Sequence, residues 1–157
     1  MTADSDANVD RTALDERIRR SWEELQAAVG SLDDGQLTAP GPDGWSVKDH
    51  LAHLAAWEGY LASAMDGRDG PEGLGLPADH DRNEEAINAA LHARDAGRSA
   101  DEVRRSMTDA HAAVVTRLRT LDQAELERSI RSIEGNTWQH YDEHRGWIAE
   151  LLASQSV

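Results

Sequence analysis

The chain reads as an all-α protein, an antiparallel four-helix bundle with one longer crossover, and three observations predict this. Four segments repeat apolar residues at the three-to-four spacing of a helix that faces a core, no strand-like alternation stands out, and most connections are short. At 157 residues the chain has the length of one ordinary domain, so residues 1–157 are expected to form a single unit, with 1–10 a flexible N-terminus.

The first predicted helix spans about residues 12–32. Thr12 and Asp15 read as its capping pair, Leu14, Ile18, Trp22, Leu25 and Val29 form one stripe, and DDG ends it. After a Pro- and Gly-rich loop, TAPGPDG, comes WSVKDHLAHLAAWEGYLASAM. There Ser46 and Asp49 make a capping box, Val47, Leu51, Leu54 and Leu61 mark the buried face, and Trp45 is placed to staple onto His50. The stretch GRDGPEGLGLP lacks the lysine of a phosphate-binding loop and reads as a surface connection; residues 67–80 are the segment for the longer crossover.

Residues 81–95 form a helix carrying Ile87 and Leu91. GRS interrupts it before Ser99 and Glu102 cap a run through Val103, Met107, Ala110, Val114, Leu118 and Leu121, and the pattern fits one broken helix or two. A short acidic segment around DQAEL then leads to NTWQHYDEHRGWIAELLAS, where Asn136 and Gln139 suit a helix start.

Composition narrows the function. Thirty acidic residues against 16 basic ones give a formal charge of −14, which repels nucleic-acid backbones and anionic membranes. Without cysteine there is no disulfide, thiolate metal site or cysteine nucleophile, so thiol chemistry would need a cosubstrate thiol. The acidic, polar start MTADSDANVD and the lack of an apolar run of about 18 residues lead to an expectation of a cytoplasmic protein.

Among seven histidines, His140 and His144 stand out, because a spacing of four puts them on one helical face. The stripe His140, His144, Ile148 and Leu151, flanked by Trp147, points both imidazoles toward the core. A shared metal would satisfy one nitrogen of each ring, whereas two hydrogen-bonded core histidines are the plainer reading. A third ligand would come from another helix, where His50 and His53 both qualify. Periodicity favours His50, beside the Leu51 and Leu54 stripe; His53 shares the flank of Trp57 and Tyr60, where an open site would be built, and spacing leaves the choice open.

The run WSVKDHLAHLAAWE, together with HYDEHRG near the C-terminus, resembles the DinB-like superfamily of four-helix metal proteins, which includes thiol-dependent transferases. GNTWQHYDEHRGWI, with DRNEEAIN upstream, further resembles the ClbS/DfsB branch, associated with self-protection against reactive natural products. The likeness runs from about Trp45 to Leu152. It implies a metal triad of His53, His140 and His144, with His50 as a staple or supporting residue. Where the family often has Gln after HRG, this chain has Trp147, which narrows the expected pocket.

Three neutral imidazoles leave the full charge on an ion with open positions, a catalytic donor set suited to zinc or nickel. Such an ion activates water or a low-molecular-weight thiol cosubstrate. Glu58, Tyr60 and Glu143 are the general-base candidates, and Trp57 and Trp147 are pocket candidates. The resulting expectation is a metal-dependent detoxification enzyme acting on a small electrophile by thiol transfer or hydrolysis. The alternative is a self-resistance protein that sequesters its ligand without turnover, and a third reading keeps the histidines for packing alone. A homodimer is compatible with the family. His80, His92 and His111 receive no role, the latter two as exposed or boundary residues.

Overall fold

The computed structural model describes residues 8–156, so most of the expected flexible N-terminus lies outside the described residues. The helices are α1 (Arg11–Val29), α2 (Asp34–Thr38), α3 (Val47–Met65), α4 (Glu84–Asp95), α5 (Ala100–Thr120), α6 (Gln123–Asn136) and α7 (Trp138–Gln155), with a 3-10 turn at Pro71–Leu74. No helix among the described residues is long and apolar enough to cross a membrane.

Local side chains explain most helix starts. Ser46 with Asp49 and Ser99 with Glu102 form the expected reciprocal capping boxes of α3 and α5. α4 and α5 are two helices rather than one broken helix. α1 starts earlier than Thr12, because extended Asp10 caps it by accepting from the Ala13 amide at 3.0 Å. That stretch of the expected flexible N-terminus is therefore tied down. DDG also does more than end α1, since Asp33 and Gln36 make a further box that opens α2.

The largest departure is α6. The segment around DQAEL is a helix capped by an Asp122–Glu125 box, with Leu126 and Ile133 buried. Asn136 ends this helix instead of starting the next one, and its side-chain amide Nδ2 donates to the Ser132 carbonyl at 2.9 Å. The break falls at buried Thr137, with φ −121° and ψ −111°, whose hydroxyl donates to the Ile133 carbonyl at 2.6 Å. That back-bond competes with the regular ladder and helps to turn the chain.

Side chains that span helix ends establish the topology. Arg104 donates to the Val29 carbonyl and Arg11 to the Leu118 carbonyl, so α1 and α5 run antiparallel. Lys48 donates to the Ala96 and Arg98 carbonyls near the start of α5, while Arg117 reaches the Met65 carbonyl at the other end. α3 and α5 therefore run parallel, which is what the long crossover through α4 makes necessary. Arg17–Asp142 and Arg145–Glu24 bind α1 to a parallel α7.

The central core holds Leu25, Val29, Leu51, Leu54, Leu61, Val103, Met107, Val114, Ile133 and Ile148. Each such side chain contributes about 1.5–3 kcal/mol when fully buried. A smaller cluster of Leu74, Leu76, Ile87 and Leu91, with Trp57 and Tyr60 against it, pins the crossover and α4 to α3.

Candidate metal centre

α3 and α7 run antiparallel but offset along their axes, so that the first two turns of each meet. The Ser46 box starts α3 so that His50 and His53 fall on its inner turns, and the Thr137 break starts α7 so that His140 and His144 face them. Ring nitrogens of His53, His140 and His144 all lie within 4.8 Å of one another. The Nε2 atoms of His140 and His144 are 3.1 Å apart.

The third contact comes from His50, whose Nδ1 is 2.9 Å from His144 Nδ1. His144 therefore meets a histidine on both ring nitrogens, while the buried Nδ1 atoms of His53 and His140 have no partner. Burial is the main cause of low basicity here. It brings His53 down to about 3, with His140 and His50 adding to the effect, and His140 to about 4. His144 and His50 are also lowered, chiefly by burial, so all four rings are neutral at pH 7.

This donor set fits a divalent ion. Neutral, closely apposed imidazole nitrogens are the ligand form a metal requires, and a tetrahedral ion bonded at roughly 2.0–2.1 Å sets adjacent nitrogens about 3.3 Å apart. The 3.1 Å edge between His140 and His144 is near that value, while the triad as a whole is looser, its nitrogens within 4.8 Å of one another.

Tryptophans hold the site. Trp45 stacks on His92 with ring centres 4.8 Å apart, leans on His50 at 5.2 Å and presents an edge to His53 at 5.7 Å. The expected Trp45–His50 staple is therefore present. Trp147 lies edge-on to His144 at 4.8 Å and is 44% exposed, at the rim. Trp57 orients its indole N–H toward Asn88 Oδ1, 3.4 Å away.

A cavity of about 750 Å³ opens beside the histidines and is lined by these three tryptophans, Asn88, Asn136 and the carboxylates of Asp43, Glu84, Glu143 and Glu150. Glu143 is the one expected general-base candidate that lines it. Tyr60 instead packs against Trp57, ring centres 5.4 Å apart, in the crossover cluster. Glu58, the third general-base candidate, is fully buried and does not line this cavity. Five residues beyond His53, it is turned about 140° around α3.

Glu58 belongs to a second buried cluster that the sequence reading missed. Its Oε2 is 3.1 Å from His111 Nδ1, the same nitrogen is 3.1 Å from the Tyr141 hydroxyl, and Trp22 lies flat on His111 with ring centres 3.7 Å apart. Burial pushes the Glu58 carboxyl up against the opposing pull of His111 and Tyr141, and it pushes Tyr141 well above its ordinary value. A signal existed in the sequence: Glu58 interrupts the apolar stripe Leu51, Leu54, Leu61, and a charge on a buried face needs partners.

A profile of the DinB superfamily matches residues 17–154. The fold is similar to a crystal structure of an uncharacterised protein from Escherichia coli UTI89, with a TM-score of 0.77 and 14% identity, covering 94% of this chain and 95% of that one. No curated protein matches the sequence at a significant level.

Proposed function

The chain belongs to the DinB superfamily, and from that premise we propose that it is a cytoplasmic enzyme that uses a divalent metal, zinc or nickel, to detoxify a small electrophile by hydrolysis or thiol transfer. The observation that carries this reading is the convergence of His53, His140 and His144 nitrogens within 4.8 Å at the wall of a cavity large enough for a small molecule. These three residues would hold the ion. When bound there, it supplies Lewis acidity and a nucleophile at neutral pH to a chain that has no cysteine.

The protein's own groups do the rest. His144 and His50, whose Nδ1 atoms are 2.9 Å apart, share one proton, so His50 would orient the His144 ring toward a bound ion. Glu143, one turn beyond His140 and lining the cavity, takes the proton released by the attacking nucleophile. The tryptophans orient the apolar part of the substrate and exclude water. The resemblance of GNTWQHYDEHRGWI to the ClbS/DfsB branch supports a reactive natural product as the electrophile.

Metal analysis of native protein beside the His53, His140, His144 triple alanine variant tests the site. One equivalent in the native chain and none in the variant is expected. Native protein free of stoichiometric metal, with ligand chemistry unchanged after His140→Ala, sinks the reading. Sequestration is the second reading, favoured by the lining of one cavity by Trp45, Trp57 and Trp147. Turnover separates the two, since a sequestering protein saturates at one equivalent and releases its ligand unchanged.

A further inference from the structure

Arg11 and Arg104 tie α1 to α5 near the two ends of the pair, and between these ties the helices leave a cavity of about 470 Å³. It shares no lining residue with the histidine cavity. We propose that this second cavity is a binding site for a small, uncharged aromatic molecule with a phenolic hydroxyl, which donates its hydrogen bond to His111 Nε2.

His111 is held in the cavity wall by contacts among four helices. From α5 its Nδ1 lies 3.1 Å from Glu58 Oε2 of α3 and 3.1 Å from the Tyr141 hydroxyl of α7, so this edge of the ring faces the bundle interior. Trp22 of α1 covers one face, with ring centres 3.7 Å apart and planes 1° from parallel. Nε2 stands on the opposite edge. Among the described residues it meets no hydrogen-bond partner and is not sealed off, for the side chain keeps 14% exposure where it lines the cavity.

Glu58 decides what that nitrogen can recognise. The carboxyl is fully buried, with the His111 ring and the Tyr141 hydroxyl both turned toward it and its Oε1 left without a partner. Packing alone is a poor reason to keep such a group, since an unsatisfied buried carboxyl is costly and an apolar side chain fills the same space. As the acceptor for His111 it keeps the ring proton on Nδ1, so Nε2 offers a lone pair to the cavity. A hydroxyl donor satisfies that lone pair. A phenol does so better than an alkyl alcohol because it is the more acidic donor, and positive charge gained by the ring as the proton is shared is balanced by Glu58. The rest of the lining suits an uncharged ring: Ile18, Trp22 and Val115 supply apolar walls, and the two acidic and two basic side chains there cancel.

Calorimetry with 4-chlorophenol and its methyl ether, 4-chloroanisole, tests this on metal-free full-length protein. The phenol is expected to bind about tenfold more tightly than the ether, and to move the His111 Nε2 resonance in nitrogen NMR where the ether does not. His111→Gln should bring the two probes to within about twofold of each other. Ala112→Phe, at an exposed position in the lining, should weaken both without touching the buried cluster. The His53, His140, His144 triple alanine variant should keep the native preference. Equal affinities, or a preference that survives His111→Gln, overturns the proposal. So does loss of the preference in the triple variant, which would place the phenol in the histidine cavity. Binding of neither probe also overturns it, and sedimentation as a dimer would then give the groove to a second copy of the chain. Should His111→Gln not fold, an unmoved Nε2 resonance or unchanged phenol binding in Ala112→Phe has the same force.

Discussion

His50 Nδ1 lies 2.9 Å from His144 Nδ1, so a histidine outside the triad holds the far side of one within it. His50→Ala is therefore expected to leave one metal equivalent bound but to weaken affinity by about 10–100-fold, the usual effect of removing a ligand's outer partner. Competition with a chromophoric chelator measures this. An affinity equal to that of the native protein would show that the contact orients nothing, and complete loss of metal would make His50 a ligand itself.

The lowered histidine basicity sets a direction for stability against pH. In the unfolded chain these rings titrate near the ordinary 6.5, while in the folded protein His140 and His53 do so only at about 4 and 3. The unfolded state thus binds more protons across that interval, so stability present above about 6.5 is lost as pH falls toward 4 and 3. Thermal melts of metal-free protein from pH 8 to pH 4 should fall more steeply for the native chain than for the double variant His53→Gln, His140→Gln. Parallel curves would contradict the assignment.

Glu58 is buried against His111, away from the cavity lining. Its removal takes an acceptor from His111 and leaves a void between α3, α5 and α7. Glu58→Ala should cost about 2–4 kcal/mol in urea denaturation, with metal stoichiometry unchanged. A loss of metal at native stability would instead join this cluster to the cavity.

Much of the fold was legible because helix starts are local. Ser46–Asp49 and Ser99–Glu102 are readable in a four-residue window, and both cap helices as expected. Asp122–Glu125 was equally readable, but the helix behind it fully buries only Leu126 and Ile133. So thin an apolar stripe looks like a connecting segment until α7 and α3 are packed against it. Legibility of the site was more uneven. Asp43, Glu84, Asn88 and Glu150 carry no pattern of their own and become cavity residues only through the arrangement of separate elements.

By itself the sequence determined that His140 and His144 share one inward face, since a spacing of four in a helix decides that without reference to the rest of the molecule. Periodicity alone could not separate His50 from His53, which lie three residues apart at the same end of α3, and only the family resemblance put His53 in the triad. The packing of α3 against α7 shows where the two rings lie, His50 against one nitrogen of His144 and His53 among the nitrogens that converge. Periodicity specifies the face on which a side chain stands; which nitrogens meet depends on how two helices far apart in the chain are packed, and the short-range pattern does not encode that distance.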